Sequence, residues 1–136
     1  MYRIDKPLHR WSKGRLTAPG VIIGLPVVML TTTGAKSGLP RTMPVAAIPF
    51  DGDLVVLGTN FGQERTPAWA WNLAAHPRAT ATWRDASVPV EAHRLTSGDL
   101  DAAWSAAGRV YAGFPKYRVR IGDSREVLAF RLVPST

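Results

Sequence analysis

The segment Thr31-Thr32-Thr33-Gly34-Ala35-Lys36-Ser37-Gly38-Leu39-Pro40-Arg41-Thr42 places two glycines around a Lys-Ser pair and an arginine four residues beyond the serine. A tight turn of that composition exposes backbone N–H groups beside two cations, the donor set of an anion cradle. An ordinary solvated β-turn has the same local pattern, so the segment alone leaves both readings open. It is not a nucleoside-triphosphate P-loop, which needs glycine directly before the lysine and a helix after it; here Ala35 precedes Lys36 and Leu39-Pro40 follows. A second polar loop, Thr59-Asn60-Phe61-Gly62-Gln63-Glu64-Arg65-Thr66-Pro67, stands between a strand and a helix start. Free N–H groups at that helix end, with the charge of Arg65, favour a carboxylate or phosphate nearby. Tyr111, Phe114 and Tyr117 are spaced by three beside Gly113 and Pro115. Such a stripe usually belongs to a core, while a broken helix carrying two hydroxyls suits a flat apolar substrate.

Other chemistries lack their residues. The chain has no cysteine, which excludes a thiolate nucleophile, a disulfide framework and thiolate-held metal clusters. His9, His76 and His93 have no spacing that would let them share a metal, so no metal site is expected. Neither a Gly-x-Ser-x-Gly elbow nor a Gly-x-Gly-x-x-Gly fingerprint occurs. The formal net charge of +7, from 17 Lys+Arg against 10 Asp+Glu, calls for an anionic partner. The basic residues are spread over the chain and line no recognition helix, which argues against nucleic acid.

The elements that must hold these residues can be read from periodicity and turn chemistry. The 136 residues fit one domain, expected over residues 21–136 behind a basic arm, residues 1–20. The arm carries Ile4, Leu8 and Trp11 at helical spacing among Arg3, Lys6, Arg10 and Lys13, and either packs on the domain or touches lipid headgroups. The uncharged run Leu16 to Ala35 imitates a membrane span, but it contains Pro19, Pro26 and three glycines, so a cytoplasmic chain is expected. Six strands are predicted, over residues 27–33, 42–50, 54–59, 79–83, 88–95 and 127–132. Asp51-Gly52-Asp53 joins the second and third as a hairpin, and Arg84 to Ser87 joins the fourth and fifth. One helix opens at Thr66-Pro67, with the threonine hydroxyl as cap, and stops at His76-Pro77. Within it Trp69 and Trp71 take different faces, one toward the core and one toward a cleft. A second helix opens at Thr96-Ser97-Gly98-Asp99, close to a capping box, and buries Leu100, Ala103, Trp104 and Ala107. A third runs from about Pro115 to Ile121 and ends at Gly122. Short strands with inserted helices, without βαβ alternation, predict an α+β fold built on an antiparallel barrel.

Taken together, Leu30 to Thr42, Asp51-Gly52-Asp53, Pro67-Ala68-Trp69, Asn72-Leu73 and Ala75-His76-Pro77 resemble the deazaflavin-dependent nitroreductase and quinone reductase family of actinobacteria. The resemblance covers about residues 27 to 132. It implies a six-stranded antiparallel split β-barrel, like that of FMN-binding proteins, with inserted helices. It also implies use of coenzyme F420, a 5-deazaflavin with a phosphate-linked oligoglutamate tail, to reduce a quinone, nitro compound or activated double bond. Under that resemblance Lys36, Ser37 and Arg41 would hold the tail. Thr59, Asn60, Phe61 and Gly62 would meet the ring, and Arg65, Pro67 and Trp69 would complete its pocket. Tyr111, Phe114 and Tyr117 would form the wall against which the acceptor stacks, with Tyr111 or Tyr117 as proton donor. The Asn60-Phe61-Gly62 loop, Phe114 in place of a frequent tyrosine, and Ala112 in place of a proline depart from the family pattern. An FMN-dependent split-barrel oxidoreductase and a non-catalytic deazaflavin-binding protein are the alternatives.

Overall fold

The computed structural model describes residues 20–22, 25–83 and 86–135. The basic arm up to residue 19 and Arg84-Asp85 of the second hairpin turn lie outside the described residues. Eight strands are present among them: β1 (Gly20–Ile22), β2 (Leu25–Thr33), β3 (Pro40–Ala46), β4 (Ile48–Phe50), β5 (Asp53–Leu57), β6 (Arg78–Trp83), β7 (Ala86–Arg94) and β8 (Ala129–Pro134). Three helices accompany them, α1 (Ala68–Ala75), α2 (Ser97–Val110) and α3 (Gly113–Ile121), with a single 3-10 turn at Asn60–Gly62.

All strand pairs are antiparallel, and seven strands follow one hydrogen-bonded path, β3-β2-β6-β7-β8-β5-β4; β1 pairs the start of β2 on its other side from β3. Only Ala47 separates β3 from β4, yet these two strands lie at opposite ends of that path. The sheet must therefore curl until its ends approach, giving an α+β half-barrel in line with the antiparallel split barrel expected. The expected strand count of six is corrected. The run Thr42 to Phe50 is two strands, because the chain changes pairing partner at fully buried Ala47, and β1 adds the other.

The Asp51-Gly52 hairpin is as the sequence predicts. Phe50 pairs with Asp53, and both turn residues have positive φ, 52° and 85°, the geometry whose twist matches that of the flanking strands. Strand β5 shows how one strand serves two layers. Leu54 and Val56 face the barrel core with Val28, Leu30, Leu73, Phe130 and Leu132, while Val55 and Leu57 face outward onto Ala103, Trp104, Ala107 and Phe114. Successive side chains alternate between faces, and all five β5 residues are buried. Helix α1 enters the barrel core through Trp69, Ala70 and Leu73, whereas α2 and α3 cover the outside.

Two expected helix caps are also corrected. Helix α1 begins at Ala68 with Pro67 as its cap residue and no side-chain cap bond; the Thr66 hydroxyl instead accepts from Arg125 Nη1 at 3.4 Å. Thr96 makes no side-chain cap bond either. Ser97 has φ of 52°, which takes the first helical position out of the geometry a capping box requires.

Candidate functional site

The Lys-Ser turn lies between β2 and β3, where Thr33 pairs with Pro40. It closes through Gly34 N–H to Leu39 O at 2.8 Å and Gly38 N–H to Gly34 O at 2.9 Å. The Ser37 hydroxyl accepts the Leu39 N–H at 3.1 Å, leaving its own proton free to donate. The N–H groups of Lys36 and Ser37 have no partner among the described residues. Arg41 is the register partner of Thr32 on the adjoining strand, so both project to the same side of the sheet. Neither Lys36 nor Arg41 is paired with a carboxylate among the described residues.

The turn is anchored from below by a residue that sequence patterning left out of the site, Asn72. Its Oδ1 accepts the Ala35 N–H at 2.8 Å and its Nδ2 donates to Thr32 Oγ1 at 3.0 Å. Both Asn72 and Thr32 are buried. A buried amide so engaged fixes α1 against the turn, since any shift would strand polar groups away from water. The only local signal is an asparagine in an otherwise apolar helix.

The second loop follows β5. Asn60 and Phe61 have φ of 47° and 59°, conformations of the left-handed region that non-glycine residues seldom take. The loop is held by Gly62 N–H to Thr59 O at 2.8 Å, Gln63 N–H to Asn60 O at 3.0 Å and Asn60 Nδ2 to Arg65 O at 3.0 Å. Gly62, at φ of 82°, lies so close to α3 that an added Cβ would sit 3.2 Å from Tyr117 Cα. Strain of this kind persists only when the surroundings over-determine it. Here the over-determination comes from Arg125, again absent from the sequence-based site. Its Nη1 donates to Gly58 O at 3.0 Å, its Nη2 to Thr59 O at 2.9 Å and Gln63 O at 3.0 Å, and its Nε to Gln63 O at 3.1 Å. Burial pushes the Arg125 pKa down from its ordinary value. The sequence gives no hint of this role, because Arg125 sits in a polar turn some sixty residues from the loop it grips.

Tyr111, Phe114 and Tyr117 come together, with ring centroids 5.9 Å apart for Tyr111 and Phe114, 5.7 Å for Phe114 and Tyr117, and 6.3 Å for the two tyrosines. Phe61 adds an edge-on contact to Tyr117 at 6.1 Å. Phe114 is only 3% exposed and belongs mainly to the outer core. The Tyr117 pKa is raised, first by burial and then by its hydrogen bond to and the charge of Tyr111, with Arg120 opposing.

Two recesses result. The larger, about 670 Å³, lies between the Lys36-Ser37 turn, Arg41 and the exposed Trp71 of α1. The smaller, about 120 Å³, is lined by Thr59, Asn60, Phe61, Pro67, Phe114 and Tyr117. Met43 and Trp69 belong to the walls of both, so the two recesses adjoin, the larger bordered by cations and the smaller by aromatic rings. Of the expected site residues, Arg65 is exposed and lines neither recess; neither do Tyr111 and Gly62. The donor set fits an elongated ligand with an anionic tail and a flat ring. Among the described residues no three of His, Cys, Asp and Glu converge as metal ligands would.

A family model described as F420H(2)-dependent quinone reductase matches residues 1–129. Over 80 residues the chain is 34% identical to F420H(2)-dependent quinone reductases of Mycobacterium tuberculosis strains CDC 1551 and H37Rv, covering 57% of this chain and 51% of each relative. The chain thus spans about half the length of the curated relatives it matches. A solved structure described as an F420-H2 dependent reductase is 27% identical, with a TM-score of 0.69, covering 79% of this chain and 93% of its own. A haem storage protein from Vibrio cholerae shares the fold at 13% identity and a TM-score of 0.59, over 94% of this chain and 89% of its own. The barrel alone does not choose a ligand.

Proposed function

The chain belongs to the F420H(2)-dependent quinone reductase family, and we propose that it transfers a hydride from reduced F420 to a quinone, with nitro compounds and activated double bonds as further acceptors. The observation that carries this reading is the pair of adjoining recesses that share Met43 and Trp69, one bordered by Lys36 and Arg41, which have no carboxylate partner among the described residues, and the other by aromatic rings. Bound F420 supplies the hydride. The protein supplies position and charge. Lys36, Ser37 and Arg41 hold the phosphate and glutamate tail through charge-assisted hydrogen bonds. Thr59 to Phe61, Pro67 and Trp69, which line the smaller recess, would hold the ring. Phe61 and Tyr117 give the acceptor an aromatic surface and exclude water from it.

A quinone that accepts one hydride needs one proton to become the neutral hydroquinone. Tyr117 lines the smaller recess, which places it to make that donation, and with its pKa raised by burial it stays protonated throughout the neutral range. The sign is clear: a phenol whose pKa is raised loses its proton only at higher pH, so this group imposes no fall in rate between about pH 6 and pH 9. Tyr117→Phe is expected to lower kcat for quinone by about ten- to a hundredfold, at the low end for general acid catalysis because solvent partly substitutes. F420 affinity should change by less than about threefold in that variant. A Tyr117→Phe enzyme with an unchanged kcat would assign the proton to solvent.

The basic arm, with Arg3, Lys6, Arg10, Lys13 and Arg15, belongs to the same proposal as a contact with the anionic lipid surface that holds apolar quinones. The deciding experiment for the activity is quinone-dependent oxidation of reduced F420, followed optically beside reduced FMN. Turnover with F420 and not with FMN supports the proposal. Tight F420 binding without oxidation by any quinone or nitro acceptor would make the protein a cofactor carrier instead.

A further inference from the structure

We propose that Arg125 is a positioning residue for the smaller recess, acting through the backbone of the loop from Gly58 to Thr66. This inference rests on the cofactor reading above and adds to it how that recess acquires a hydrogen-bond donor. One guanidinium collects the carbonyls of Gly58, Thr59 and Gln63 at 2.9 to 3.1 Å and reaches the Thr66 hydroxyl at 3.4 Å. The planar fork of arginine suits such a cluster, where a lysine ammonium would be a single point of attachment.

The consequence follows from peptide geometry. No peptide bond among the described residues is cis, and in a trans peptide the C=O and N–H point in opposite directions. The Thr59 carbonyl turned toward Arg125 therefore turns the Asn60 N–H away from it. That N–H has no partner among the described residues, and Asn60 lines the smaller recess. The Thr59 N–H, by contrast, is engaged by Leu57 O at 2.8 Å. The loop is thus polarised, its carbonyls gathered on the cation behind it and the Asn60 amide presented on the other side, where a ring carbonyl or ring nitrogen can accept. The left-handed conformations of Asn60 and Phe61, at φ of 47° and 59°, are the backbone cost of that arrangement. Arg125 offsets it from a place where it touches neither ring nor acceptor.

The test uses the full chain with Arg125→Met and Arg125→Lys, titrated with intact F420 and with a deazaflavin lacking phosphate and glutamates. Two readouts are taken, the dissociation constant and the visible absorption band of the bound ring at saturation. Arg125→Met is expected to weaken both ligands by about ten- to a hundredfold, the scale of a misplacement of about 1 Å, and to move the bound band toward that of the free ring. Arg125→Lys should fall between, and it carries the test if the methionine variant does not fold. A lower melting temperature with affinity and band unchanged assigns Arg125 to stability alone and overturns the proposal. In the unsubstituted protein, the Asn60 amide should exchange with solvent more slowly once the tail-less deazaflavin is bound; unchanged exchange also overturns it. Failure of the unsubstituted protein to bind F420 at all would instead overturn the cofactor reading.

Discussion

Replacing Lys36 and Arg41 together by alanine is expected to weaken F420 binding by about a hundredfold while leaving the fold intact. Each cation offers a charge-assisted hydrogen bond to phosphate or carboxylate, worth about 1.5–3 kcal/mol when formed away from water. Two such bonds would amount to between a hundredfold and ten-thousandfold, since about 1.4 kcal/mol is a factor of ten. Both side chains are exposed, so solvent screening favours the lower figure. The same exposure makes the substitution harmless to stability. Neither cation is paired among the described residues, and no buried group loses a partner. Raising the salt concentration should weaken the unsubstituted protein toward the level of the variant, which itself should respond little. A loss below about threefold would remove these residues from the tail site.

Trp69→Ala is expected to cost both stability and binding, because one side chain serves the core and both recesses. Trp69 is 6% exposed and packs in the barrel core with Leu73 and Phe130, while lining both recesses. Truncating a buried tryptophan to alanine costs about 3–5 kcal/mol in lost burial and residual cavity. With an unfolding entropy of about 2.1 cal/mol/K per residue, that corresponds to a fall in Tm of about 10–17 °C. Binding should fall further than incomplete folding explains, since a wall common to both recesses is gone. Trp69→Phe, which keeps most of the apolar surface, should recover more than half of the Tm loss. A Trp69→Ala protein melting within about 3 °C of the original would contradict the packing described.

What the sequence makes legible is what depends on neighbours along the chain. Asp51-Gly52 must form a tight turn because of its own φ preferences, and Ala103, Trp104 and Ala107 must share a face because of helical spacing. The break at Ala47 is invisible by the same logic: the run from Thr42 to Phe50 carries no glycine at the break, and the strand changes partner only because the barrel must turn a corner. Thr66 has the residue type of a cap, but Arg125 competes for its hydroxyl from 59 positions away. Asn72 and Arg125 escape sequence reasoning for one reason. Their partners are 37 to 67 residues distant, and their chemistry is with backbone or a buried hydroxyl, which leaves no complementary residue type to find. The Lys36-Ser37 turn and the tyrosines stand out because their composition is unusual where they occur. The supports beneath them do not.

The most direct measurement is an equilibrium titration of the unsubstituted protein with three ligands, intact F420, the same deazaflavin without phosphate and glutamates, and FMN. The site predicts saturable binding tightest for F420, weakened at least tenfold by removal of the tail, with FMN, which keeps one phosphate but no glutamates, weaker than F420. FMN binding as tight as F420, or no saturation with F420, would contradict it.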